Sequence, residues 1–201
     1  RLNRKSMRLR AHSSFALFTA YSPPDTAAMT IRRTNQVYIA DTARVLGEVT
    51  LGPDVNIWYG VSIRGDISPI TIGRGTNVQD NAVIHCDHDD PNVIGEHVTI
   101  GHGAVVHGLE IGDETLIGMH AVVLGKTRIG RHCLVAAGTV VPPRMEVPDG
   151  SVVMGVPGKI VRATTDQEQQ SFQRSSVQYI ALASRHAKSP QDRLVKPWEV
   201  K

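Results

Sequence analysis

A branched aliphatic residue recurs at every sixth position over most of the chain. The series comprises Ile39, Val45, Leu51, Ile57, Ile63, Ile72, Val78, Ile84, Ile94, Ile100, Val106, Ile111, Ile117, Val123, Ile129, Val135, Val141, Val147 and Val153. A period of six fits neither an α-helix nor the alternation of an ordinary strand, and it is typical of a hexapeptide solenoid. Each hexapeptide is expected to form one short strand and a corner, so that three make one triangular coil. The chain is therefore predicted to be an all-β solenoid.

The amino-acid composition agrees with a narrow interior. Small residues occupy the fifth place of most hexapeptides, and the chain contains 18 glycines but only 3 phenylalanines. Tight corners favour glycine, which adopts backbone conformations that other residues avoid. The net charge is only +3, and much of it comes from the N-terminal segment, so it does not indicate nucleic-acid binding. Two cysteines imply no disulfide framework.

The repeat also places side chains side by side. Two stretches and one contraction interrupt the period, and we interpret the stretches as loops inserted at corners, which keeps every strand in step with its face. On that register, one column of outward residues contains Arg64, His85 and His107. Neighbouring parallel strands lie roughly 4.8 Å apart. His85 and His107 are therefore predicted to share one metal ion, at about 2.0–2.1 Å per zinc–nitrogen bond.

A second column, on the preceding face, contains Asp80 and His102. A corner of the triangle separates His102 from His107 and splays their side chains apart. A His102 from a neighbouring protomer would solve this geometry, because two histidines of one chain would then meet one histidine of the next. A closed threefold arrangement gives three equivalent sites. The prediction is a trimer of identical or related chains.

Several segments resemble the γ-class carbonic anhydrase family: RGDISPITIG, NVQDNAVIH, IGHGAVVHG and IGMHAVV, followed by PDGSVVMGVPGKIVR. The resemblance covers roughly residues 35–188. It implies a left-handed parallel β-helix with a C-terminal α-helix, in a trimer with zinc between its subunits. It assigns the three metal ligands to His85, His102 and His107.

The resemblance also implies an activity. Three neutral imidazoles leave one position on zinc for water. The zinc lowers the pKa of that water to about 7, giving a hydroxide that can attack CO2. Fe²⁺ or Co²⁺ could fill the same ligand set. Further roles are implied for Gln79 near the bound water, Asp80 in the network around the ligands, Arg64 and Asp66 in an ion-pair network between subunits, and Tyr179 near the site or in packing. Met119 and Leu124 are expected to form an apolar ceiling above the histidines.

One departure from the family pattern concerns turnover. Active members carry a glutamate directly after the Arg-x-Asp triplet, and Ile67 occupies that place here. The loop Cys86–Pro91 is also short, although His88 or Asp89 could replace a proton shuttle because an imidazole titrates near neutral pH. Metal binding is predicted, and efficient CO2 hydration is left open.

The remaining segments suggest a location. Residues 1–36 form a basic arm whose first 24 residues carry five basic side chains and no acidic one, which resembles a mitochondrial targeting segment; a plain basic extension is the alternative. The chain has no apolar run of about 20 residues, so no membrane span of its own is predicted. Residues 37–163 are assigned to the β-helix, 164–189 to a helix opened by the capping box Thr165–Glu168, and 190–201 to a tail.

Three functions follow from the resemblance and the repeat. The chain could be a free-standing homotrimeric carbonic anhydrase that interconverts CO2 and bicarbonate. It could instead be a subunit of mitochondrial complex I on the matrix side of the inner membrane, joined to two similar protomers and to membrane-arm subunits; its basic arm and its SVQYIALASRHAK helix favour this reading. A hexapeptide acyltransferase is the more remote alternative, because it offers no reason for two metal-spaced columns.

Overall fold

The computed structural model describes residues 30–188. The predicted tail, and residues 1–29 of the predicted basic arm, lie outside the described residues. The described part contains 19 strands and one helix, and most strands are only two residues long. These strands stack in parallel as three faces of a triangular prism.

Face one stacks seven strands: β2 (Val37–Ala40), β4 (Asn56–Ile57), β6 (Asn77–Val78), β9 (Thr99–Ile100), β12 (Leu116–Ile117), β15 (Leu134–Val135) and β18 (Ser151–Met154). Two longer strands, β3 (Arg44–Leu51) and β5 (Ser62–Ile72), each run along face two and continue into face three. Face two is completed by β7 (Val83–Ile84), β10 (Val105–Val106), β13 (Val122–Val123) and β16 (Val140–Val141). Face three is completed by β8 (Asn92–Ile94), β11 (Glu110–Ile111), β14 (Arg128–Ile129) and β17 (Glu146–Val147).

The hexapeptide register predicted from the sequence is confirmed. Val78 pairs with Ile100, and Ile100 pairs with Ile117 on the next coil. On face two, Ile84 pairs with both Ile63 and Val106. These side chains are fully buried and form one continuous core along the prism axis.

The first interruption of the period differs from its predicted form. A loop was expected between Ile63 and Ile72, but residues 62–72 form the single 11-residue strand β5. The pairing with β3 passes from Gly47↔Gly65 to Val49↔Ile70, so residues 66–69 are inserted at the corner without partners on β3. The predicted insertion is therefore present, as an irregularity within a strand and not as a loop, and the faces that it assigned are right. The second interruption is a loop, closed by a bridge between Asp87 and Asp90.

Two antiparallel hairpins lie at the ends of the prism. β1 (Ile31–Thr34) pairs with β2, so the last residues of the range assigned to the basic arm belong to a hairpin. At the other end, β18 pairs with β19 (Lys159–Ala163).

The helix α1 (Asp166–Lys188) follows β19 and lies along face one, against β1, β2, β4, β6 and β9. Its start confirms the predicted capping box: the Glu168 carboxylate accepts from the Thr165 backbone N–H at 2.8 Å, and the Thr165 hydroxyl accepts from the Glu168 N–H at 3.3 Å. Phe172, Ser176 and Ala183 are buried against the solenoid. Within residues 30–188, α1 lacks the apolar stretch that a membrane-spanning helix needs.

Candidate metal centre

His85 and His107 lie side by side on face two. The His85 N–H donates to the Val106 carbonyl, and the His107 N–H donates to the Val123 carbonyl, which holds both residues at the ends of stacked strands. Their ring centroids are 5.3 Å apart, and the ring planes are inclined by 65°. This is the spacing at which two imidazoles on adjacent strands can turn toward one shared ion.

His102 lies beyond a corner, in a column of residues that leave face one. Backbone hydrogen bonds of 2.9 Å fix this column: the carbonyls of Tyr59, Asp80 and His102 each accept from an N–H of the next coil. Within residues 30–188, no three His, Cys, Asp or Glu side chains converge on a possible metal position. A single chain therefore offers a pair of histidines and a separate third histidine.

Each of the three imidazoles has an oxygen atom near Nδ1, in a hydrogen bond for His85 and in ion-pair contacts for His102 and His107. His85 Nδ1 lies 2.6 Å from the Arg64 carbonyl oxygen, and His102 Nδ1 lies 2.9 Å from Asp80 Oδ2. His107 Nδ1 lies 3.5 Å from Asp87 Oδ2. Such acceptors place the proton on Nδ1 and leave the Nε2 lone pair for a metal. The donor set therefore fits a zinc ion, provided that one histidine comes from a second subunit.

Asp87 was not among the residues singled out from the sequence. Its signal was its place two residues after His85, but the same loop also contains His88 and Asp89. Those two pair with each other at 2.7 Å, and their side chains are 80% and 88% exposed. Only the folded loop distinguishes the acid that faces a candidate ligand from the acid that faces solvent.

Arg64 and Asp66 form an ion pair at 2.5 Å on the outer surface beside His85. The hydrogen bond from the Arg64 guanidinium is the main cause that lowers the pKa of Asp66. Asp66 Oδ1 also lies 3.9 Å from His85 Nδ1. Both side chains are well exposed in the single chain, where a neighbouring subunit could reach them.

Gln79 and Tyr179 line a pocket of about 410 Å³ between α1 and face one. Gln79 is 5% exposed, and its amide nitrogen donates to Asn77 Oδ1 at 3.1 Å. The Tyr179 hydroxyl lies 3.5 Å from His102 Nε2. Burial raises the pKa of Tyr179, and the Asp80 charge adds to that effect. The pocket thus opens beside the third histidine.

Apolar residues continue both histidine columns. Leu124 is the neighbour of His107 on the next coil of face two, because Val106 pairs with Val123. Met119 is the neighbour of His102 on the next coil, because Ile100 pairs with Ile117. Met119 is 55% exposed, which is high for a large apolar side chain. The predicted apolar residues therefore stand next to the candidate ligands on the coil above.

The fold and the paired columns define a hexapeptide-repeat protein built as a left-handed parallel β-helix. Residues 108–143 match the family "Bacterial transferase hexapeptide (six repeats)", and residues 91–124 match "Hexapeptide repeat of succinyl-transferase". A solved hexapeptide transferase family protein from Anaplasma phagocytophilum superposes with a TM-score of 0.72, at 35% identity over 76% of this chain and 90% of that one.

Within that class, the chain belongs to the γ-class carbonic anhydrase family. It is 41% identical to the "Probable carbonic anhydrase" of Methanocaldococcus jannaschii, over 73% of this chain and 92% of that protein. It is 40% identical to "Gamma carbonic anhydrase 2, mitochondrial" of Arabidopsis thaliana, over 75% of this chain. The match spans 56% of the Arabidopsis protein, little more than half its length. The family resemblance predicted from the sequence is confirmed.

Proposed function

We propose that this chain is a subunit of a γ-carbonic-anhydrase-type trimer that binds zinc between neighbouring subunits. His85 and His107 of one subunit and His102 of the next would be the ligands. The observation that carries the proposal is the common arrangement of the three imidazoles, each with Nδ1 near an oxygen atom. The separation of His102 from the other two supports its donation to a second subunit.

The proposed reaction is the reversible hydration of CO2 to bicarbonate. A zinc ion held by three imidazoles supplies a Lewis acid that lowers the pKa of a water to about 7, so that a nucleophile for CO2 exists at neutral pH. Fe²⁺ or Co²⁺ suits the same nitrogen ligands. Asp80 and Asp87 would hold the protons of their histidines at Nδ1 and so fix the ring orientations.

The other residues of the site would position reactants and subunits. Gln79 is buried on the pocket wall, where its amide can orient a small reactant beside His102. Tyr179 narrows the same pocket and restricts the access of water. Arg64 and Asp66 would exchange ion pairs with a neighbouring subunit, because both side chains extend outward from the edge that the neighbour must cover.

The proposed setting is mitochondrial complex I, on the matrix side of the inner membrane, with membrane-arm subunits as further partners. The names of the Arabidopsis relatives describe them as mitochondrial, and the basic composition of residues 1–24 supports the same compartment. A free-standing homotrimeric enzyme is the second candidate, favoured by the nearly full-length match to the archaeal relative. Stable migration with a megadalton membrane complex would select the first.

The decisive experiment measures zinc content and CO2 hydration of the native assembly. We expect bound zinc in the unmodified protein and its loss in His107→Ala. His120→Ala is the matched control, because His120 is an exposed corner residue with a positive φ of 56° and no place in either ligand column. If the unmodified protein binds zinc and hydrates CO2, and His107→Ala does not hydrate CO2, the chain is an enzyme. Zinc without hydration would indicate a subunit that keeps its site for assembly, and Ile67 would then mark the loss of turnover. No zinc in the unmodified protein would overturn the proposal.

A further inference from the structure

Four rings meet where the last turns of α1 lie on face one: Trp58, Tyr59, Tyr179 and His186, here called the ring cluster. The Trp58 ring centroid lies 5.4 Å from that of Tyr179 and 5.2 Å from that of His186, and both contacts are edge-to-face. Trp58 is itself fixed, because its indole N–H donates to Asn56 Oδ1 at 2.8 Å and only 4% of its surface is exposed. Tyr179 and His186 therefore both pack against the same fixed indole ring.

His186 makes the polar contact of the cluster. Its Nδ1 lies 3.2 Å from the Tyr59 hydroxyl. Burial is the main cause that lowers the pKa of His186; neighbouring Arg185 adds to this effect, and the Asp80 charge opposes it. The imidazole is therefore neutral at neutral pH, and in the tautomer with its proton on Nε2 the Tyr59 hydroxyl donates a hydrogen bond to Nδ1. This hydrogen bond fixes the tyrosine side chain.

Tyr59 stands in the same column as the third candidate ligand. Tyr59, Asp80 and His102 occupy equivalent positions on three successive coils, as their backbone hydrogen bonds show. After burial, the charges of Asp41 and Asp80 are the next causes that raise the pKa of Tyr59. Asp80 is the neighbour of Tyr59 in this column, and its carboxylate lies 2.9 Å from His102 Nδ1.

We infer that His186 is a positioning residue for His102, acting through Tyr59 and Asp80. The inference rests on the proposed function, in which His102 is the ligand that each subunit offers to its neighbour. A second route leads the same way, because Trp58 links His186 to Tyr179, whose hydroxyl faces His102 Nε2. The last turns of α1 thereby set the orientation of an imidazole that completes the site of another subunit.

The test compares zinc affinity, measured by chelator competition on the assembled protein, among four variants. His186→Phe keeps a ring against Trp58 but removes the acceptor, and we expect affinity to fall about fivefold, less than for a residue that contacts a ligand directly. Tyr59→Phe removes the donor of the same hydrogen bond and should lower the zinc affinity by the same factor. His186→Gln replaces the nitrogen acceptor with an amide oxygen and should restore most of the affinity.

Ser176→Ala is the matched control, because Ser176 anchors α1 to another part of the solenoid through the Gly75 carbonyl at 2.8 Å. It should lower the melting temperature and leave zinc affinity unchanged. The visible spectrum of the Co²⁺-loaded protein should change in His186→Phe and not in Ser176→Ala, since that spectrum reports ligand geometry.

The outcomes separate this inference from the proposed function. Unmodified protein that binds no zinc would overturn both. The inference alone would be overturned if the unmodified protein binds zinc and both His186→Phe and Tyr59→Phe have the affinity and spectrum of Ser176→Ala. His186 would then only anchor the helix. Should His186→Phe fail to assemble, Tyr59→Phe decides the question by itself.

Discussion

The chemistry available to each candidate histidine depends on the group that faces its Nδ1. The three oxygen atoms differ: a backbone carbonyl for His85, the Asp80 carboxylate for His102 and the Asp87 carboxylate for His107. A partner at the second ring nitrogen fixes the orientation of a histidine that binds a metal. Single acids beside the ligands therefore affect metal affinity without touching the metal.

Asp87 and Asp89 allow this effect to be isolated on one loop. We expect Asp87→Asn to weaken zinc binding about tenfold, because it removes the charge that faces His107. Asp89→Asn should leave the affinity unchanged, since within residues 30–188 Asp89 pairs with the exposed His88 and with no candidate ligand. Chelator competition on the two purified variants measures the difference. Equal affinities would show that Asp87 has no influence on the ligand.

The repeat predicted residues of the solenoid far better than residues of its loops. His85 and His107 could be placed in one column from the sequence, because each follows a buried aliphatic residue of the hexapeptide series. Asp87 could not be placed, since its orientation depends on a loop in which Asp89 has a positive φ of 61° and Asp87 bridges Asp90. His186 lies in the predicted helix, but its hydrogen bond with Tyr59 could not be predicted, because it depends on how far α1 extends across the coils.

At the scale of the element, the height of one coil limits what a corner can hold. A Cβ added to Gly73 would lie 2.6 Å from the carbonyl carbon and oxygen of Gly95 on the next coil. Those atoms are backbone and cannot move aside without opening the parallel strands. A Cβ added to Gly138 would meet nothing within 4 Å, although Gly138 has a positive φ of 68°. Glycine is favoured at these two corners for different reasons.

The two glycines predict different costs of substitution. Gly73→Ala should destabilise the solenoid by about 3 kcal/mol, because the methyl group must displace a neighbouring coil. Gly138→Ala should cost about 1 kcal/mol, the conformational penalty of a left-handed backbone alone. Urea unfolding followed by circular dichroism measures both. The clash at Gly73 would be refuted by equal losses in the two variants.

The start of α1 carries a charge effect of its own. The hydrogen bond from Arg162 is the main cause that lowers the pKa of Glu168 to about 2, and the Thr165 backbone N–H adds to it. Because the folded pKa is lowered, the stabilisation is complete above the unfolded value near 4.5 and is lost as the pH falls toward 2. The Glu168 side chain is 26% exposed and its partner Arg162 is 48% exposed, so screening by solvent limits the effect to about 1 kcal/mol.

Glu168→Gln should therefore unfold more easily than the unmodified protein at pH 7, and the difference should shrink as the pH falls from 4.5 to 2. Thermal melts at several pH values measure it. Glu110→Gln, which removes a surface ion pair with Arg128 away from any helix end, is the control for general loss of charge. A gap between Glu168→Gln and the unmodified protein that stays constant down to pH 2 would contradict the assignment.

At the scale of the whole molecule, the prism divides the candidate site between two faces. His85 and His107 stand on face two, and His102 stands beyond the corner that ends face one, so the described part of the chain does not complete a metal site. The register of the hexapeptide series predicted this division from the sequence. The identity of the neighbouring subunits could not be predicted, because it depends on other chains. If each subunit gives His102 to one neighbour and receives it from the other, every site depends on two chains.

That dependence predicts complementation between two inactive variants. His102→Ala keeps the pair on face two, and His107→Ala keeps the ligand that is donated, so homotrimers of either variant should lack complete sites. A mixed trimer should contain one complete site, wherever a His102→Ala subunit receives His102 from a His107→Ala neighbour. Trimers that contain both variants should therefore recover about one third of the zinc of the unmodified protein, as expected for a closed ring of three subunits.

The measurement is the zinc content of trimers refolded from a mixture of differently tagged variants and purified through both tags. A mixture of His107→Ala with His85→Ala is the control, since both remove ligands from the same face and cannot complement each other. Recovery in the first mixture only would establish that each site spans two chains. Zinc bound by either variant alone would mean that one chain can complete a site, and the shared site would then be wrong.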